Sequence, residues 1–190
     1  MKVDNLKNIV WGFVIVFLSI VADQLSKLAV MVNFGMGERN IVTLINDFLY
    51  LSHVRNKGAG WSLFEGQTFI LIGVTSVALV LAIVIMLKSN RMSLTVPIAM
   101  IIGGGLGNLY DRIFRPEGVV DFIDAYIFGY DFPVFNVADS ILVCGTIYLS
   151  VYILFLYQDD NMGVILPEKW VMWLEEKEKE RIEKEKKEEK

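Results

Sequence analysis

The sequence predicts a membrane all-α fold: four transmembrane helices, a small extracytoplasmic β-sheet platform and a charged C-terminal tail. Three observations predict it. Of the 190 residues 54% are hydrophobic and the mean hydropathy is +0.49, leaving too little polar surface for an ordinary soluble exterior. The apolar residues gather into four long runs. The charge is set apart at one end, where residues 158–190 hold 8 Lys/Arg and 11 Asp/Glu and leave 10 and 11 for a nearly neutral body.

Crossing about 30 Å of hydrocarbon takes about 20 apolar residues in a helix. Residues 9–32, 69–87, 94–110 and roughly 135–157 meet that length. The first run follows Lys2 and Lys7 like the start of a secretory leader, but no small-residue cleavage site follows it, so it is expected to stay as a span. Its uncharged part, 9–22, covers only about 21 Å at 1.5 Å per residue. Asp23 and Lys27 therefore fall within the far third of the bilayer.

Parity then brings the polar residues together. The end of span one, the end of span three and the start of span four share a membrane face in either orientation, which gathers Asp23, Lys27, Asp111, Arg112, Asp121 and Asp139. Lys2, Lys7, Lys88 and Arg91 occupy the short segments on the other face, which the positive-inside rule makes cytoplasmic. Both termini are expected there. The loop 33–68 is too long for a turn and rich in apolar residues, so it is expected to fold. Residues 41–45 and 48–54 around Asn46-Asp47 read as a hairpin, and Trp61, Leu63 and Phe64 as a short interfacial piece. This divides the chain into a membrane domain, 1–157, and a tail, 158–190. The tail has Glu175/Lys179, Glu180/Lys184 and Glu183/Lys187 at helical spacing and reads as a solvated helix or a disordered segment, with Trp170 and Trp173 as interfacial anchors before it.

Composition also excludes chemistry. A neutral body offers no basic face for nucleic acid. Cys144 stands alone and cannot form an intramolecular disulfide, and His53, the only histidine, excludes a multi-histidine metal site. No cofactor or metal is expected.

The remaining candidates are polar groups at membrane depth, where a carboxylate costs roughly 2.5–3.5 kcal/mol and is a functional candidate by default. Gly103 and Gly107 form a small-xxx-small pair for close helix packing, while Gly104, Asn108 and Arg112 repeat every four positions along one helix face. Asp23 and Lys27 are spaced to neutralise each other, and a purely structural pair would look the same. Asn56, followed closely by Gly58, reads locally as a turn residue. Asp121 and Asp139 sit in apolar surroundings without an adjacent Lys or Arg. Two such acids brought together share a proton, so that one takes a proton from water while the other bonds a scissile carbonyl. Two separate interfacial acids facing water remain an equal reading of these residues alone.

Taken in order, Asp23 with Lys27, the run from Asn56 to Ser62, the run from Gly103 to Arg112, Val119-Val120-Asp121-Phe122 and Phe135-Asn136-Val137-Ala138-Asp139-Ser140 resemble the lipoprotein signal peptidases, or signal peptidase II. The resemblance implies a multi-pass aspartic endopeptidase of the bacterial cytoplasmic (inner) membrane. Its substrate would be a lipid-modified prolipoprotein, cut just before the diacylglyceryl cysteine with the active site toward the outer leaflet. It implies that Asp121 and Asp139 are the catalytic pair, with Asp23, Lys27, Asn56, Gly104, Asn108, Arg112 and Asn136 supporting them or contacting substrate. The expected partners are that substrate and membrane lipid, and the expected state is a monomer. Asp111 and Asp124 remain as possible third acids. Two other classes compete: a small four-span proton-coupled transporter using Asp23, and a scaffold whose ionic pairs only fix helix register.

Overall fold

The computed structural model describes residues 3–37, 39, 41–58, 66–156, 172–173, 176–177 and 179–181. In chain order the elements are α1 (Val3–Asn33), β1 (Val42–Ile45), β2 (Leu49–Asn56), α2 (Thr68–Lys88), α3 (Met92–Phe114), β3 (Val119–Ile127), β4 (Tyr130–Asp131) and α4 (Val137–Val151), which continues into a π-helical stretch, Tyr152–Leu156. Four stretches have the length and apolarity to cross a membrane: Asn5–Asn33, Thr68–Lys88, Met92–Phe114 and Val137–Phe155. Their bounds lie within four residues of those read from the sequence.

α3 is the central helix. Thirteen of its 23 residues are buried, against two of 21 in α2. Its glycines explain how neighbours reach it from several sides. A Cβ at Gly103 would stand 2.5 Å from the Ser19 Cβ of α1, one at Gly104 2.5 Å from the Ala138 carbonyl oxygen of α4, and one at Gly105 2.8 Å from Leu79 of α2. Each is shorter than a carbon side chain tolerates, so the absent side chains set the helix spacing. The small-xxx-small pair does serve packing, with Gly103 and Gly107 both turned to α1.

The sheet is antiparallel in the order β1-β2-β3-β4. The expected hairpin is present as β1 and β2, joined through Asn46-Asp47 with Asp47 at φ 57°. The sheet is larger than the sequence predicts, because β3 and β4 come from the segment between α3 and α4. That segment hides its strand character for a physical reason: β3 is buried on both faces, so Val119-Val120-Asp121-Phe122-Ile123 lacks the polar alternation of a half-exposed strand. Val120 and Phe122 pack with Val30 of α1, and Met31 and Phe34 lie against them. This anchors the sheet to the end of the first helix.

The interfacial piece around Trp61, Leu63 and Phe64 lies outside the described residues, as do Trp170 and at least one member of each of the three Glu/Lys pairs expected in the tail. The chain forms two compact units, Met1–Ser150 and Val151–Lys190. In the second, residues 172–173, 176–177 and 179–181 are helical, Trp173 is half exposed, and Lys177 pairs with Glu180 at 2.7 Å.

Candidate active site

Period-two alternation in β3 decides which acid meets the cavity. Val119, Asp121, Ala125 and Ile127 line a cavity of about 1030 Å³, together with Leu49, Val54 and Asn56 of β2. The even-numbered residues face the other way, toward α1 and the segment after it. Another part of the wall is one face of α4, formed by Asp139, Ser140, Val143 and Cys144, with Asn108 and Arg112 of α3. Asp121 and Asp139 therefore reach one apolar space from a strand and from a helix.

Asp139 is held by the way α4 begins. The Asn136 side-chain oxygen accepts the Asp139 backbone N–H at 3.0 Å, and the Asn136 backbone N–H donates to Asp139 Oδ2 at 3.1 Å. This reciprocal arrangement is a capping box with Asn and Asp in place of Ser/Thr and Glu. The same asparagine reaches across to the other acid, donating from Nδ2 to Asp121 Oδ1 at 2.7 Å. The remaining carboxylate oxygens are also matched: Asn108 Nδ2 donates to Asp139 Oδ1 at 2.7 Å and Asn56 Nδ2 donates to Asp121 Oδ2 at 2.9 Å. Among the described residues neither acid makes a salt bridge. Burial first, and then the Asp139 charge, push the Asp121 carboxyl up to about 7, against the opposing pull of the Asn56 and Asn136 donors.

Below the pair lies an ionic cluster. Lys27 is fully buried and contacts Asp23 Oδ2 at 2.8 Å, Asp111 Oδ2 at 3.0 Å and Asn108 Oδ1 at 3.0 Å. Asp23 Oδ1 accepts the Ala138 N–H of α4 at 3.0 Å, Arg115 pairs with Asp111, and Gln24 bridges Asp23, Asp111 and Arg115. A side chain at Gly107 would stand 2.6 Å from Asp23 Oδ2, so that glycine admits the cluster. Arg112 donates to the carbonyl oxygens of Asn108 and Gly58 at the cavity wall.

All nine residues singled out in the sequence thus fall in one connected region, at two depths. Asn56, Asn108, Arg112, Asp121 and Asp139 line the cavity, whereas Asp23, Lys27, Gly104 and Asn136 lie behind its wall. Asn56 fills both of its possible roles. It accepts the Gly58 N–H at 2.9 Å as a turn residue does and turns its amide N–H to Asp121. Asp111 and Asp124, the other candidate acids, are each neutralised by an arginine and absent from the cavity wall. Sequence reasoning missed Gln24 and Arg115, although the i,i+4 spacing of Asp111 and Arg115 marks the latter. It also missed the box Asn136-Val137-Ala138-Asp139, whose signature was legible. Among the described residues no group of three His, Cys, Asp or Glu side chains is arranged to hold a metal ion.

Residues 15–155 match the family described as signal peptidase (SPase) II. The chain is 43% identical over 138 residues to a lipoprotein signal peptidase of Geobacillus kaustophilus, covering 72% of this chain and 88% of the relative. It is 41% identical over 136 residues to one of Halalkalibacterium halodurans, covering 70% and 85%. Among solved structures it resembles a bacterial membrane enzyme determined at 2.3 Å resolution, with a TM-score of 0.70 and 30% identity over 83% of this chain and 92% of that one. A second bacterial membrane enzyme structure, at 1.9 Å, gives a TM-score of 0.68 and 32% identity over 76% and 92%.

Proposed function

The chain belongs to the signal peptidase II family, and from that premise we propose that it is an aspartic endopeptidase whose reaction is carried by Asp121 and Asp139. It is a multi-pass membrane protease that removes signal peptides from lipoproteins. The aspartic assignment rests on one observation above the others: two carboxyls lining a single cavity, both bonded to Asn136, neither matched by a cation.

In this reading the pair holds one proton between them at working pH. The ionised member takes a proton from a water molecule, whose oxygen attacks the scissile carbonyl carbon. The protonated member donates a hydrogen bond to the carbonyl oxygen as it gains charge. The tetrahedral intermediate collapses as a proton passes to the leaving amine, and the pair returns to sharing one proton. Positioned proton transfer of this kind contributes about 10²–10⁴-fold to a rate. Arg112 at the cavity wall orients the peptide, while the amides of Asn56 and Asn108 hold the acids.

The substrate is a prolipoprotein carrying a diacylglyceryl-modified cysteine, cut on the N-terminal side of that residue. The apolar lining from Val54, Val119, Phe132, Phe135 and Val143 suits acyl chains and an apolar signal segment. In this reading the termini lie in the cytoplasm and the acids toward the outer leaflet of a bacterial inner membrane, which the parity of four spans and the lysines of the short loops support. In this reading one chain suffices for the reaction, because both acids and the amides bonded to them belong to it. The transporter alternative is not favoured: Asp23 is fully buried against Lys27 and does not line the cavity.

The test is cleavage of a purified diacylglyceryl-modified precursor by the native chain, Asp121→Asn and Asp139→Asn, with and without excess chelator. Activity that resists chelator and vanishes in both folded variants is expected. Turnover retained by either variant removes that residue from the mechanism.

A further inference from the structure

The orientation of the Asn108 amide is the least forgiving feature of the site. Its Nδ2 donates to Asp139 Oδ1 at 2.7 Å, while its Oδ1 accepts from Asn136 Nδ2 at 3.1 Å and from Lys27 Nζ at 3.0 Å. Turning the amide half a revolution would set its NH₂ against an ammonium and another NH₂. It would also set a carbonyl oxygen against a carboxylate. All three hydrogen bonds would become repulsive contacts, in a buried setting where unmatched polar groups cost most.

Of the two donors that hold Asn108 Oδ1, Lys27 is the stronger and the more firmly fixed. Its bond is charge-assisted. An ammonium has three N–H bonds, and Asp23, Asp111 and Asn108 account for three contacts at 2.8, 3.0 and 3.0 Å. The Lys27 side chain is wholly buried, as are those of Asp23 and Asp111. Asn136 is the weaker second holder, because the two N–H bonds of its Nδ2 are divided among Asp121, Asn108 and the Val120 carbonyl.

We propose that Lys27 is a positioning residue for hydrolysis: by donating to Asn108 Oδ1 it fixes the amide so that an N–H, not a carbonyl oxygen, meets Asp139. Lys27 does not touch substrate, and its role reaches the reaction through Asn108 alone. The inference rests on the reading of Asp139 as a catalytic acid.

The charges allow a clean test. Asp23 and Asp111 are balanced by Lys27 and Arg115, so Lys27→Met combined with Asp111→Asn removes one charge of each sign. Full-length variants are assayed in detergent micelles on a diacylglyceryl-modified precursor, with thermal unfolding measured alongside. The Lys27→Met/Asp111→Asn protein is expected to lose about a hundredfold in kcat, the loss typical of a misplaced catalytic group, with KM near the native value. Asn108→Ala is expected to lose a similar factor, and adding it to the Lys27→Met/Asp111→Asn background to lose nothing more. Lys27→Gln/Asp111→Asn keeps a donor without the charge and recovers most of the rate.

Losses that multiply across the combined variant overturn the proposal, as does native kcat in a folded Lys27→Met/Asp111→Asn protein. Should that protein not fold, Asn108→Asp keeps Lys27 and removes the donor that Lys27 is proposed to aim at Asp139: a selective kcat loss is expected, and retained kcat overturns the proposal because no positioned N–H is then needed there. Asp139→Asn is expected to be inactive whichever way these variants behave, so failure here leaves the assignment of Asp139 standing. Only an active Asp139→Asn protein removes the assignment itself.

Discussion

Asp121 and Asp124 stand three residues apart on β3, and the sheet buries both, yet their surroundings differ in kind. Asp124 faces away from the cavity. It takes two hydrogen bonds from the Arg39 guanidinium, at 2.9 and 3.0 Å, and one from the Ser52 hydroxyl at 2.6 Å, while Arg39 also holds Asp131 of β4. Asp121 faces the cavity and receives only neutral amide donors, from Asn56 and Asn136. A buried carboxylate held by a bidentate arginine fastens strands together. One with amide donors and a second acid nearby is left ready to exchange a proton. The identity of the donors, not the depth of burial, separates the acid that ties strands together from the one proposed to react.

The sharpest way to break this comparison is to neutralise each acid in turn. Asp121→Asn is expected to lower kcat by about 10³-fold or more, whereas Asp124→Asn keeps near-native turnover per folded molecule and loses stability instead. Equal losses of kcat in the two variants would erase the distinction. Next in size is a dependence on pH. The folded Asp121 value of about 7 lies above its ordinary value of 3.8, so the folded state holds that proton where the unfolded chain has released it. Its contribution to stability is full below about pH 4 and is lost as pH rises through about 7. Thermal unfolding of native and Asp121→Asn proteins should therefore shift in the variant's favour across that window, and cleavage should decline above about pH 7 as the shared proton is lost.

Arg39→Ala sharpens the other half of the comparison. It leaves the Asp124 carboxylate buried with Ser52 alone, at a cost of about 2 kcal/mol, read as a lower unfolding midpoint with KM little changed. The smallest effect belongs to the β3–β4 turn, where Phe128 holds φ 51° and is fully exposed. Phe128→Gly relieves the left-handed backbone and should raise stability by about 1 kcal/mol, read as a higher unfolding midpoint.

The helices were legible because hydropathy and length leave few alternatives, and the β1–β2 hairpin because its turn lies at Asn46-Asp47. β3 was not, since a strand buried on both faces carries no alternation, and with it went the fact that Asp121 and Asp124 face opposite ways. The acids themselves stood out by charge in apolar company. Their partners did not: Asn56 reads locally as a turn, and Arg39 is 85 residues from the Asp124 it neutralises. Pairings at that separation are set by the fold. The local box at Asn136 and Asp139, by contrast, needed only its spacing.

Isotope-edited infrared titration of the Asp121 carboxyl, in the native protein and in Asp139→Asn, tests the central claim most directly. The account predicts a native midpoint near 7 that falls when the neighbouring charge is removed. A midpoint near 4, the ordinary carboxylate range, unmoved by the substitution, would contradict it.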